Sequence, residues 1–357
     1  MCVGVSYLVV LLVHNTTKQT LRSEMQVKVE DLREKVLAGV GKLGYGGEDA
    51  KTISDVLLYA QLRGNNQGIT KIATGGVPKA TDLAEYKVIK QNKCGALVSG
   101  GHAMVATRNA VQLATELASE HGVGIVGSNH TFTSSGAIGY FTRQVAEAGY
   151  IGLACVGTPP FVAPTGSAEP KLGTNPLSYS FPTSSGSVVF DTATAAMAFF
   201  GVMEYKLKGQ PLPDGIAFDS DGNPTTDAAK ALDGSVGTFA QHKGFGLSLL
   251  VQLLGGPFVE AAFIGQNKER GAGTFVMAID PALLIDKEQY LKEAGELVDA
   301  VRSAKPLSGQ QVLMPGERGD ELAKTATESG SIEIADAIWK ELCSFVDGNI
   351  NPVNPES

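Results

Sequence analysis

The chain has 357 residues, 43% hydrophobic and 18% charged, with a formal net charge of −8. That balance suits a soluble globular protein of one large or two modest domains, and argues against nucleic acid or an anionic membrane as the main partner. The four cysteines, Cys2, Cys94, Cys155 and Cys343, are widely spaced with no CxxC, which argues against a disulfide framework or a zinc site and fits a reducing, cytoplasmic compartment.

Val3–Val13 is an apolar run too short to span a bilayer. Residues 1–23 carry Lys18, Arg22 and no acid, a weak transit-peptide pattern, and Met25 is an equally good translation start. Residues 1–24 are therefore expected to lie outside the fold. Val27–Val40 reads as an amphipathic helix, with Val29, Leu32, Val36 and Val40 near one face. It closes in Gly39-Val40-Gly41-Lys42-Leu43-Gly44, a match to GxGxxG. A dinucleotide fingerprint must follow a strand and open a helix, so this match is a decoy.

Glu48–Leu62 is a second helix. It runs into the polar stretch Gln61–Lys71, read either as a carboxylate clamp or as a solvated connector. Ala80–Gln91 and His102–His121 are read as further helices. The second leads into another GxGxxG match at 122–127, whose glycines precede and interrupt a strand, so it too is rejected. The buried strand Val123–Val126 ends in the loop Gly127-Ser128-Asn129-His130. Imidazole titrates near neutrality, which suits His130 to proton transfer; capping the next helix is its alternative role.

A helix from about Gly136, a strand Ile151–Val156 and a proline-rich loop 157–173 follow. Gly173-Thr174-Asn175-Pro176 then introduces strands at Leu177–Phe181 and Val188–Phe190. The second ends at Asp191-Thr192-Ala193-Thr194, where a small-residue helix should start at once. Asp191 or Thr192 would cap it, and its N-terminus would suit an anion. Asp214–Ala229 is a polar excursion without the closing Glu of a calcium loop. Lys243 opens the apolar helix Leu247–Leu254, either as a surface lysine or beside a bound anion. Gly273–Ile279 is a strand and Leu283–Ser303 a helix. Leu313–Gly319 is a compact turn. The C-terminal helix is read as split near Gly330, resuming at Ile332–Phe345. No Walker A loop, GxSxG elbow or HExxH is present, and no metal site is expected.

Five separated segments, GSNH (127–130), GTNP (173–176), FDTAT (190–194), HKGFGLSLLVQLLGG (242–256) and PGERG (315–319), resemble one family together. It is the malate/L-lactate/ureidoglycolate/sulfolactate dehydrogenase family, and the likeness runs from about residue 28 to 345. The resemblance implies a homodimeric oxidoreductase using NAD or NADP on a small carboxylate. It implies an α/β fold: a mixed-sheet α/β/α dinucleotide-binding domain of non-Rossmann type (126–319) plus a helical N-terminal region (25–125). That region would pack against C-terminal helices at 320–346, within a last segment 320–357.

In such a protein His130 accepts the hydroxyl proton of a 2-hydroxy acid. Ser128, Thr174, Asp191, Thr192, Ala193, Lys243, Gly316 and Glu317 would meet the cofactor. Arg63, Gln67, Lys71 and Asn175 would meet the substrate. The chain departs from the family at SHGxxR: Asn66 and Gln67 replace the Ser and His, and Lys71 the Arg. Gln67 cannot titrate, and a lysine offers a point charge where arginine offers a planar fork. The departure leaves two further expectations open: a cyclic-imine carboxylate reductase, or a catalytically impaired dinucleotide-binding homologue.

Overall fold

A computed structural model describes residues 24–349. The N-terminal apolar run and the transit-peptide pattern lie outside the described residues. β1 (Glu24–Lys28) runs directly into α1 (Val29–Lys42), followed by α2 (Gly47–Leu62) and the single-turn α3 (Thr70–Ala73). The hairpin of β2 (Lys87–Gln91) and β3 (Gly95–Ser99) precedes α4 (Ala103–His121). Then come β4 (Val123–Thr131), α5 (Gly139–Glu147), β5 (Ile151–Gly157), β6 (Leu177–Thr183) and β7 (Gly186–Thr192). An excursion holds α6 (Phe199–Leu207), β8 (Ala217–Phe218), α7 (Ala228–Asp233) and β9 (Ser235–Val236). The chain returns through α8 (His242–Gly255), β10 (Ala272–Ile279) and α9 (Lys287–Arg302), and ends in α10 (Glu317–Ser329), β11 (Ser331–Ala335) and α11 (Asp336–Val346).

The centre is a seven-stranded mixed sheet in the order β2-β3-β4-β10-β5-β6-β7. Its one parallel pair is β3–β4, joined over α4; every other neighbour is antiparallel. A parallel pair requires a crossover helix, and this sheet has one such unit where a Rossmann domain needs several. The second GxGxxG match has another use here. Gly122 ends α4 with φ 82°, and a Cβ on Gly124 would sit 1.9 Å from the Ala114 carbonyl oxygen, so helix and strand touch backbone to backbone.

One face of the sheet packs on α4 and α5, and α1, α2 and α11 extend the same core through Leu32, Val36, Ile53, Leu57 and Leu342, with Phe141 of α5. The other face meets α8 through Cys155, Val251 and Phe275. A satellite core lies under the excursion, around Val162, Leu172, Val202 and Val236. β1 pairs antiparallel with β11, which joins the two ends of the described chain.

Several expected boundaries move. Residues 80–91 form a short 3₁₀ turn and then β2, because Lys87–Gln91 hydrogen-bonds to β3. The helix expected at Ile332 begins at Asp336, since Ile332 and Ile334 alternate along β11. No helix starts at Thr194; the chain bends and α6 begins at Phe199. The expected domain boundaries at 125/126 and 319/320 fall inside β4 and α10, and the nominally helical region contributes β2 and β3 to the sheet. Among the described residues no helix is long and apolar enough to cross a membrane.

Candidate active site

His130 sits within β4, not in a loop beyond it. The pairing of β4 with β10 slips between Ser128↔Thr274 and Thr131↔Ala272, so Asn129 and His130 together oppose Gly273. This is a β-bulge, a device that re-aims a side chain out of the sheet's alternation. His130 adopts φ 53° to make it. Non-glycine residues seldom take that region, although His and Asn are enriched there. A Cβ on Gly271 would come within 2.6 Å of the Thr131 carbonyl, so the opposing chain must be bare to pass. The His130 ring is part-buried, with Nδ1 2.8 Å from Asn129 Oδ1 and 3.2 Å from Ser99 Oγ on β3.

Lys71, on α3, is wholly buried. Its Nζ donates to Ser134 Oγ at 2.6 Å and lies 3.4 Å from the centre of the Phe200 ring on α6. Among the described residues no carboxylate lies within ion-pair distance of it. Burial without such a partner pushes its pKa well below the ordinary lysine value. His102 caps α4, its Nδ1 accepting from the Met104 N–H, and its Nε2 is buried without a partner. Burial, reinforced by Lys71, lowers the His102 pKa to about 3. Ser134 follows His130 in the same connection, so one short segment ties Lys71 to the bulge. Nothing in the local sequence marks His102, Ser134 or Phe200, which come from three separate stretches of chain.

The other expected substrate residues divide. Gln67 turns back on its neighbour, Nε2 donating to Asn66 Oδ1 at 2.9 Å. Arg63 is committed elsewhere: it bonds Asp320 of α10 and stacks 3.8 Å over Tyr59, while Arg143 of α5 takes the same carboxylate at 2.8 and 2.9 Å. Arg63, expected at the substrate, is thus held by Asp320 and Tyr59 in the ligand-free chain. Asn175 has its side chain engaged within the protein. It is fully buried with φ 43°; its Oδ1 accepts from Thr158 N–H, and its Nδ2 lies 3.1 Å from Ser248 O, Ser248 Oγ and Gln252 Oε1 of α8. It fastens the start of β6 to α8. Asn175→Ala should lower unfolding free energy by about 2–4 kcal/mol, because several buried polar groups lose their partner. A denaturant titration showing a loss below 1 kcal/mol would refute that role.

Among the expected cofactor residues, Ser128 is also fully buried, its hydroxyl unpartnered on the core face of β4. Asp191 lies in β7 and accepts from the Gly139 N–H at 2.8 Å. It thus caps α5, not the segment that follows it. Burial raises its carboxyl to about 6, the Gly139 hydrogen bond opposing the rise. Gly316, at φ 90°, lies so near the Val189 carbonyl that a Cβ would approach it to 2.6 Å, which sets the 315–319 turn beside β7. Glu317 is tied down by the Met314 N–H and by Arg302. Thr192 donates to the Ala193 carbonyl, both residues part-buried. Thr174 meets Thr158 through the two hydroxyls, 3.3 Å apart.

Lys243 is exposed in the first turn of α8. That turn has no acidic residue and no side-chain cap, and Ala240 and Gln241 before it both hold positive φ. Away from α8, a cleft of about 570 Å³ adjoins the 315–319 turn at Glu317, between Arg302, Leu313, Asp320 and Lys324; it does not reach His130. Among the described residues no three of His, Cys, Asp and Glu are grouped to hold a metal ion.

The family model described as malate/L-lactate dehydrogenase matches residues 27–343. A malate/(S)-sulfolactate dehydrogenase of Methanothermus fervidus is 33% identical over 339 residues, covering 90% of this chain and 98% of that one. The solved sulfolactate dehydrogenase of Methanocaldococcus jannaschii superposes with a TM-score of 0.75 at 28% identity, over 93% of this chain and 99% of that one. A solved delta1-piperideine-2-carboxylate reductase from Pseudomonas syringae pvar. tomato gives a TM-score of 0.75 at 25% identity, over 90% and 99%. With its mixed sheet and the matched span, the chain belongs to the malate/L-lactate dehydrogenase family of oxidoreductases.

Proposed function

We propose that the protein interconverts a 2-hydroxy acid and a 2-oxo acid with NAD or NADP, His130 moving the hydroxyl proton and Lys71 holding the carboxylate. The observation that carries this is the pairing of the two groups through one segment. A proton-transfer side chain is displayed by a bulge, and four residues on, Ser134 grips a buried amine that has no carboxylate of its own. A substrate carboxylate would supply that missing partner.

The chain's residues fit a dinucleotide. The uncapped, acid-free N-terminus of α8 with Lys243 suits a phosphate, since free N–H groups and the helix dipole both favour negative charge. Thr192, Ala193 and Gly316 offer accessible or backbone surface beside β7, whereas Ser128 offers none. The nicotinamide, when bound, supplies hydride acceptance and donation; the protein supplies orientation and the proton.

The test is a spectrophotometric panel of 2-oxoacids and cyclic imines with NADH and with NADPH. Oxoacid turnover is expected. Imine turnover alone would favour the cyclic-imine carboxylate reductase, a reading supported by Gln67 bonded to Asn66 and by the aromatic Phe200 over Lys71. Cofactor binding with no turnover on either class would leave an impaired homologue and overturn both.

A homodimer is part of the same proposal. Leu249, Leu250 and Leu253 of α8 are 42–55% exposed and Phe258 just beyond is 64% exposed, an apolar face of the kind that marks an interface. Leu250→Glu with Leu253→Glu should convert the dimer to monomer in sedimentation velocity; an unchanged dimer would exclude this face. The three free cysteines among the described residues suit a reducing compartment such as the cytoplasm.

A further inference from the structure

We propose that Asn129 is a positioning residue: its side-chain amide fixes His130 in the Nδ1–H tautomer and so keeps Nε2 as the proton-accepting atom. The inference rests on the proposed role of His130 and extends it to a residue with no assigned function.

The chain of hydrogen bonds has only one consistent reading. Asn129 is buried, and one end of its amide lies 2.9 Å from the Val259 carbonyl oxygen. A carbonyl oxygen can only accept, so that end of the amide is the NH₂ group. The other end, Oδ1, then faces His130 Nδ1 at 2.8 Å. An amide oxygen carries no hydrogen, so Nδ1 must carry it. Ser99 Oγ, 3.2 Å from the same nitrogen, can share that N–H as a second acceptor. Nε2 has no protein partner among the described residues and keeps its lone pair in the neutral ring.

The tautomer therefore follows from the hydrogen-bond network. Val259 reaches Asn129 because Gly127 is bare: a Cβ there would meet Val259 Cγ1 at 2.5 Å. This accounts for the glycine of GSNH as well as its asparagine.

In the oxidative direction the substrate O–H bond breaks and an Nε2–H bond forms, giving an imidazolium whose Nδ1–H stays on Asn129 Oδ1. A neutral amide orients the ring without holding a full opposite charge against the cation. The proton can then be returned in the reductive direction.

The experiment is nitrogen NMR of uniformly ¹⁵N-labelled protein, with the His130 signals assigned by their loss in His130→Asn. Above the titration of the ring, a protonated Nδ1 and bare Nε2 are expected. A protonated Nε2 would overturn the inference. The second arm is the pH profile of kcat/KM. In Asn129→Asp a carboxylate replaces the amide oxygen, and the acidic limb should move up by about 1–3 units, as for a cation gaining an adjacent anion. An unmoved limb in a folded variant would also overturn it. If that variant does not fold, the spectrum of the unmodified protein still decides. The tautomer is read without substrate, so a correct tautomer with full turnover in His130→Asn would refute the base, not the positioning.

Discussion

Replacing His130 with alanine or asparagine is expected to cut turnover by about two to four orders of magnitude, the usual contribution of a placed general acid–base. Dinucleotide binding should persist. Lys243, Thr192 and Gly316 lie on α8, β7 and the turn before α10, and none of them bonds to the His130 ring. The two variants separate chemistry from folding. His130 holds φ 53° on the bulge, a conformation that asparagine tolerates and alanine tolerates less well. His130→Asn should therefore keep the melting temperature of the parent while losing its turnover. His130→Ala should lose both turnover and up to about 1–2 kcal/mol of stability. Steady-state kinetics, quenching of intrinsic fluorescence by the nucleotide and thermal melts give the three readouts. Turnover within a factor of a few of the parent in either variant would take the imidazole out of the mechanism.

The role proposed for His130 can be argued from its residue type alone, but its placement cannot. A histidine after an apolar run is a candidate for proton transfer because imidazole titrates near neutrality. The bulge that displays it needs Gly271, just before β10, to pass Thr131, and is opposed by Gly273 of β10, both late in the chain. The stripe of Val29, Leu32, Val36 and Val40 was readable because a helix carries its own period, and all four are buried. Residues 87–91 were not, since two apolar residues among lysines suit either element until β3 pairs with them. Asn175 is expected at the substrate only from the family resemblance carried by GTNP (173–176). Its partners within the chain, Ser248 and Gln252, are on a helix whose packing no local pattern reveals. Asp191 was readable as a cap, but the helix it caps lies earlier in the chain. Local periodicity survives in the sequence; contacts between distant segments do not, and the site is built from the second kind.

Lys71→Met should change stability and activity in opposite directions. In the free protein Lys71 is buried, its amine donating to the Ser134 hydroxyl and lying over the Phe200 ring, with no carboxylate in ion-pair reach among the described residues. Burying an amine without an anion is costly. An apolar residue of similar length should therefore raise unfolding free energy by about 1–4 kcal/mol, as when buried ionic groups give way to hydrocarbon. The pH dependence follows from the depressed folded pKa. Between that value and the unfolded value of 10.5 the unfolded chain binds more protons, so stability of the parent rises with pH across this window. The methionine variant should lack that rise.

Activity should fall instead. If the substrate carboxylate pairs with Lys71, losing the cation removes about 2–5 kcal/mol of binding, the cost of truncating one partner of a buried charge pair. That is a drop in kcat/KM of roughly 30-fold to several thousand-fold. An arriving carboxylate also favours the ammonium, so substrate-analogue binding should take up a proton, and affinity should weaken as pH rises. Calorimetry of a 2-oxoacid analogue in two buffers of different ionisation enthalpy measures that uptake directly. A methionine variant that is more stable yet keeps its kcat/KM would show that the carboxylate is held elsewhere. In that case Arg63 and Arg143, two cations sharing the single carboxylate of Asp320, become the next place to look.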